Sequence, residues 1–181
     1  MHATLCDMIT DLVQNSIEAG ASDIKLRVEE TNLNLNVVIA DNGKGMDAET
    51  LEKAKDPFYS DGLKHKHRKV GLGLPFLFQT AEMTGGTATI ASEPGAGTTV
   101  TCQLDRSNVD LPEFGSFTTA AVTLMTYGFD GNLKIERSVN GKKYEVSKED
   151  LAEALGDLND TESLVLLKNF IASHEEDIGA I

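Results

Sequence analysis

Asp41-Asn42-Gly43-Lys44-Gly45-Met46 follows directly on the run Leu33-Asn34-Leu35-Asn36-Val37-Val38-Ile39-Ala40, and the fold is decided at that junction. Alternation in the run reads as a half-buried strand, which then stops at a carboxylate and two glycines. Glycine accepts positive φ and lets backbone lie close to a ligand, so the turn suits something flat held against it. Asn-Gly and Asp-Asn are also ordinary turn formers, and a plain hairpin turn is the competing reading of these residues taken alone.

Working outward, three further elements come in fixed order. Upstream, Asp11-Leu-Val-Gln-Asn15-Ser-Ile-Glu18-Ala-Gly-Ala puts Asp11, Asn15 and Glu18 at helical i, i+4, i+7 spacing on one face, opposite an apolar stripe of Leu5, Met8, Ile9, Leu12, Val13 and Ile17. Downstream, Gly71-Leu72-Gly73-Leu74 opens a second apolar helix, and Gly95-Ala96-Gly97-Thr98-Thr99 leads into the strand Val100 to Leu104. Four such boxes in order are far more specific than any one.

At these residues the chain resembles the GHKL superfamily of ATP-binding domains, which takes in gyrase, the large heat-shock chaperone, histidine kinases and mismatch-repair ATPases. The resemblance covers residues 3–105. Its asparagine box is most similar to that of mismatch-repair proteins, whereas the text from Asp41 onward, including Asp56-Pro57-Phe58-Tyr59 and Gly85-Gly86, is closer to histidine kinases. The mixture suggests a small standalone member.

The resemblance implies a two-layer α/β sandwich with a Bergerat-type mixed sheet and three covering helices, occupying residues 1–107. The coarse reading agrees: helix 3–19, strands 22–30 and 33–40, a short helix near 47–55, a loop from 57 to 69, a helix 73–84, and strands 86–92 and 98–104. From 108 to 181 the family text ends, and a small C-terminal α+β annex is expected. It contains a helix over 117–127, two alternating runs joined by Asn140-Gly141, a helix opened by Ser147-Lys-Glu-Asp150, and another from Asp160 or Thr161 to near His174.

Carried over residue by residue, the family pattern implies ATP and Mg²⁺ as cofactors. Asp41 would accept the exocyclic amine of adenine, with Gly43 and Gly45 close to the ring and Met46 as an apolar wall. Thr98 or Thr99 would support Asp41 through a hydroxyl or a water, although plain β-propensity also explains both. Asn15 offers the neutral hard oxygen that Mg²⁺ takes beside a triphosphate. Asp11 stands where a general base is expected but is one methylene shorter than glutamate, so slow hydrolysis is anticipated. Glu18 is either a further acidic site position or a solvated helix face. Gly71, Leu72, Gly73 and Leu74 bring helix N-terminal amides to phosphate oxygens. Lys69 replaces a glycine usual two residues before Gly71. The basic run Lys64-His-Lys66-His-Arg68-Lys69 falls where family members place their phosphate lid, so Lys66, Arg68 and Lys69 are the candidates for phosphate contact.

A net charge of −13 argues against a nucleic-acid groove, which needs clustered Lys and Arg. No long apolar run or charged leader is present, so a cytoplasmic protein without a membrane anchor is expected. Cys6 and Cys102 lack metal or redox spacing and read as small core residues. Phe170 to Glu175 faintly echoes a kinase phosphoacceptor box, but His174 has the plainer reading of an exposed helix-end residue. Two functions follow as expectations: a slow ATPase or histidine-kinase-like phosphotransferase acting in trans on a protein partner, or a nucleotide-gated binding switch with little chemistry.

Overall fold

Residues 4–55 and 73–180 are described by the computed structural model. The first helix, α1 (Leu5–Glu18), starts at a capping box in which the Thr4 hydroxyl accepts the Asp7 N–H and the Asp7 carboxylate accepts that of Thr4. Its buried stripe is Leu5, Cys6, Met8, Ile9, Leu12, Val13 and Ser16. Next come β1 (Asp23–Glu30) and β2 (Asn34–Asp41), paired antiparallel with Ile24 opposite Asp41 and Glu30 opposite Leu35. Their alternation works as expected. Ile24, Leu26, Val28, Leu35, Val37 and Ile39 are buried on one face, while Asp23, Lys25, Arg27 and Glu29 stay exposed on the other.

The chain continues through α2 (Ala48–Ala54), α3 (Gly73–Thr84), β3 (Thr87–Glu93) and β4 (Gly97–Asp105). The segment expected to form an annex then supplies α4 (Phe117–Thr126), β5 (Asn132–Val139), β6 (Lys142–Ser147), α5 (Lys148–Leu155) and α6 (Thr161–Ile178). Its strands extend the sheet already built. β5 runs parallel to β1 along the edge that the β1–β2 hairpin leaves open, giving a six-stranded mixed sheet in the order β3-β4-β2-β1-β5-β6. Asn140 and Gly141 both have positive φ, 49° and 87°, as the two-residue hairpin between β5 and β6 requires. Helices α1, α3, α4, α5 and α6 pack on the face carrying the buried residues, so the architecture is the two-layer α/β sandwich of the sequence reading.

The last helix runs past His174 to Ile178 and ends at Gly179 in the left-handed region, φ 79°. It continues because Glu175 is a buried member of the inward row Ser163, Leu167, Ile171, Glu175 and Ile178. Glu175 accepts the Tyr144 hydroxyl at 2.7 Å and faces the Arg137 Nε at 3.4 Å. Arg137, itself fully buried on β5, also pairs with Glu30 at the end of β1, and its guanidinium lies over the rings of Phe114 and Phe117. Arg106 reaches the other Glu30 oxygen at 3.1 Å. This cluster ties the end of β1 to β5, β6 and α6; each charge in it has an ion partner, while the buried Arg137 Nε makes no hydrogen bond and faces Glu175 only as an ion pair.

Candidate nucleotide site

Asp41 is the last residue of β2 and keeps the inward register of Leu35, Val37 and Ile39. A carboxylate at such a position needs donors, and it has them. The Ser16 hydroxyl of α1 donates to Oδ2 at 2.6 Å, while the Gly43 and Thr98 N–H groups donate to Oδ1 at 2.8 and 3.3 Å. Asp41 as a whole is only half-buried. Asn42 anchors the turn from the other side, its side-chain oxygen accepting the N–H groups of Ser22 and Asp23 at 2.9 Å each.

The glycines of this turn are required by close approach. Gly45 has φ +63°, and a Cβ there would overlap the carbonyl of Glu93; one on Gly97 would overlap the carbonyl of Asp41. Their absence lets the 43–46 turn lie against the β3–β4 turn, where the Gly95 N–H donates to the Lys44 carbonyl at 2.7 Å. Met46 is half-buried beside this junction, and its N–H donates to the Ser92 hydroxyl at 2.8 Å. Ser92 in turn sits 2.9 Å from the hydroxyl of Thr98. Of the two threonines, Thr98 is directly opposite Asp41 in the β2–β4 register. Thr99 pairs with Ala40 and is exposed on the opposite face of the sheet, so it does not stand beside the carboxylate.

Asp11 and Asn15 lie one turn apart on α1 and are both half-buried; Glu18, further along, is exposed. Gly73, the first residue of α3, is buried directly against Asp11, and a Cβ there would overlap the Asp11 carboxylate. Leu74 packs on the core behind it. The α1 face and the start of α3 are therefore adjacent. Lys66, Arg68, Lys69, Gly71 and Leu72 fall outside the described residues.

Two residues that the sequence reading passed over hold the site together. Ser16 carried a usable signal: it lies one turn after Leu12 in the buried stripe, and a buried hydroxyl there needs a partner. Ser92 gave none, being an ordinary polar residue in an alternating strand. His174 differs from its expected exposed setting. It is half-buried, stacked on Tyr144 with ring centroids 4.9 Å apart and met edge-on by Phe170 at 4.5 Å. The two cysteine thiols are buried and free, and burial pushes each up to about 12.

Comparison with known proteins gives a consistent picture. The family model described as "Histidine kinase-, DNA gyrase B-, and HSP90-like ATPase" matches residues 2–108. Sporulation kinase B of Bacillus subtilis is 35% identical over 107 residues, covering 58% of this chain and 23% of that protein. Heme sensor protein HssS of Staphylococcus saprophyticus is 34% identical over 102 residues, 56% of this chain and 21% of the sensor. Histidine protein kinase DivJ of Caulobacter vibrioides is 39% identical over 71 residues, 39% of this chain and 12% of the kinase. The chain thus spans less than a quarter of the length of these curated relatives. Among solved structures, the N-terminal domain of a DNA repair protein superposes with a TM-score of 0.59 at 16% identity, over 87% of this chain and 58% of the other. That likeness is one of fold.

Proposed function

Because the chain belongs to the histidine kinase-, DNA gyrase B- and HSP90-like ATPase family and carries its ATP-binding, kinase-like domain, we propose that it binds Mg²⁺-ATP with adenine at Asp41 and acts on a protein partner in trans, by slow hydrolysis or by phosphoryl transfer. The observation that carries this reading is the half-buried Asp41 carboxylate at the end of β2, held by the Ser16 hydroxyl and the Gly43 and Thr98 N–H groups. An anionic acceptor so fixed favours a ring that offers an amine and disfavours one that offers a carbonyl, and a hydrogen bond to a charged group contributes about 1.5–3 kcal/mol.

The donor set fits the cofactor. Asn15 supplies one neutral oxygen, and Mg²⁺ commonly takes one or two protein ligands, phosphate oxygens and water. When bound, the ion neutralises phosphate charge. The chain's own part is to hold the base through Asp41, orient the phosphates between α1 and the start of α3, and bring Asp11 toward a water or an acceptor hydroxyl. Lys66, Arg68 and Lys69 are proposed to close over the phosphates, and residues 108–181 to provide the surface for the partner.

A nucleotide-gated switch with little chemistry is the second reading, favoured by the shortness of Asp11 and its packing against Gly73. Phosphate release together with calorimetry separates the two. The first reading predicts that Asn15→Ala abolishes Mg²⁺-dependent ATP binding and that Asp11→Asn spares binding but removes turnover. Unchanged Mg²⁺-ATP affinity in Asn15→Ala would remove the metal assignment, and turnover indifferent to Asp11→Asn would remove the base.

A further inference from the structure

We propose that the free edge of β6 is a self-association site, on which a second copy of this chain adds its own β6 antiparallel about a two-fold axis at Tyr144. β6 is the last strand of the sheet. In the two-residue hairpin that precedes it, the closing pair Val139 and Lys142 exchanges both hydrogen bonds, so Lys142, Tyr144 and Val146 direct their backbone groups to β5. Lys143 and Glu145 then direct theirs outward. Among the described residues, no loop or side chain takes up those outward groups.

The side chains on that edge choose a partner. Antiparallel pairing requires outward-directed residues to stand opposite one another, which leaves three central registers about a two-fold axis. One sets Lys143 against its own copy and another sets Glu145 against its own copy, both like-charge pairs. The third sets Lys143 opposite Glu145 twice, each pair exchanging two backbone hydrogen bonds and joining unlike charges. Glu145 already accepts Lys134 at 2.7 Å and, as a carboxylate, has capacity for a second cation; Lys143 forms no direct salt bridge among the described residues, although its charge acts on Glu136. The strand is thus complementary to itself in one register.

A second feature flanks the same edge. On α6, Leu166 and Phe170 lie one turn apart and are 55% and 43% exposed. Phe170 meets His174, and His174 stacks on Tyr144, the residue at the proposed axis. A line of ring contacts therefore leads from Tyr144 at the axis to Phe170, and the exposed Leu166 lies one turn before it on the same helix. Lysines on an edge strand are also how monomeric proteins guard against pairing. The complementary glutamate and the exposed apolar flank are what favour association here.

Sedimentation equilibrium of the full chain at physiological ionic strength, from low micromolar to near-millimolar, tests this. The mass should rise from one chain toward two. Lys143→Glu should hold it at one chain throughout, and Lys143→Glu combined with Glu145→Lys should restore the dimer, with circular dichroism unchanged. Amide exchange at Lys143 and Glu145 should slow at least tenfold as concentration rises. A single-chain mass at every concentration would overturn the proposal, meaning a guarded edge or one reserved for a different protein. Association unaffected by Lys143→Glu would equally overturn it, since another surface would be responsible.

Discussion

Ser16→Ala removes one hydroxyl and tests whether the carboxylate at the end of β2 is organised by α1. The Ser16 side chain is buried and donates to Asp41 Oδ2 at 2.6 Å, a short charge-assisted bond. Bonds to charged groups contribute about 1.5–3 kcal/mol, and the half-buried carboxylate can recover part of the loss from water, so the lower end applies: about 1.5 kcal/mol, or roughly tenfold in the unfolding constant. For a domain of this length that is a drop of about 3–6 °C in Tm. Urea titration of the native chain, Ser16→Ala, Asp41→Asn and the double variant gives the coupling directly. Residues in contact should show a coupling of at least about 0.5 kcal/mol, and strict additivity would mean that the bond is not formed in solution.

Alkaline pH should weaken the fold through its two buried thiols. Burial raises both from 9.0 to about 12, so above pH 9 the unfolded chain loses protons that the folded chain keeps. The stability contributed by the thiols is complete below pH 9 and is lost as pH climbs toward 12, with a limiting slope of about 1.4 kcal/mol per pH unit for each group. Urea unfolding at pH 8 and pH 10.5 measures it, and Cys102→Ala should be less steep than the native chain. Gly45→Ala should be far worse than Gly20→Ala, because a Cβ at Gly45 meets the Glu93 carbonyl whereas one at Gly20 meets nothing. At Gly20 only the cost of positive φ applies, about 1–2 kcal/mol. Thermal melts that rank the two equally would refute the close approach of the two turns.

Much of the fold was legible in local pattern. The alternating runs, the Asn-Gly turn and the capping boxes each name their own element, and β1, β2, α3 and the β5–β6 hairpin stand within a residue or two of where pattern put them. Pairing between distant strands was not legible. Nothing in Leu133 to Val139 says that this run lies parallel to β1 rather than in a sheet of its own, because both arrangements bury the same alternating face. The end of α6 was misjudged for a related reason. Glu175-Glu176-Asp177 looks like solvent, and only Arg137 and Tyr144, brought from β5 and β6, make a buried Glu175 affordable. Within the site, the choice between Thr98 and Thr99 was in principle readable, since Thr98 shares strand parity with the buried Val100, Cys102 and Leu104.

The claim on which everything else depends is that Asp41 reads the base. Its Oδ1 is held by the Gly43 and Thr98 N–H groups, so in Asp41→Asn the single amide oxygen would be pinned there and the NH₂ would take the Oδ2 position, removing the acceptor that the Ser16 hydroxyl uses and that the adenine amine is proposed to use. Two donors would then oppose each other. Isothermal titration of Mg²⁺-ATP and Mg²⁺-GTP into the native chain and Asp41→Asn is the direct measurement. The native chain should prefer ATP by at least about tenfold, matching the low end of a bond to a charged group, and Asp41→Asn should lose ATP affinity by a comparable factor while keeping its fold. Equal affinities for the two nucleotides in the native chain, or ATP binding untouched by Asp41→Asn, would contradict the account.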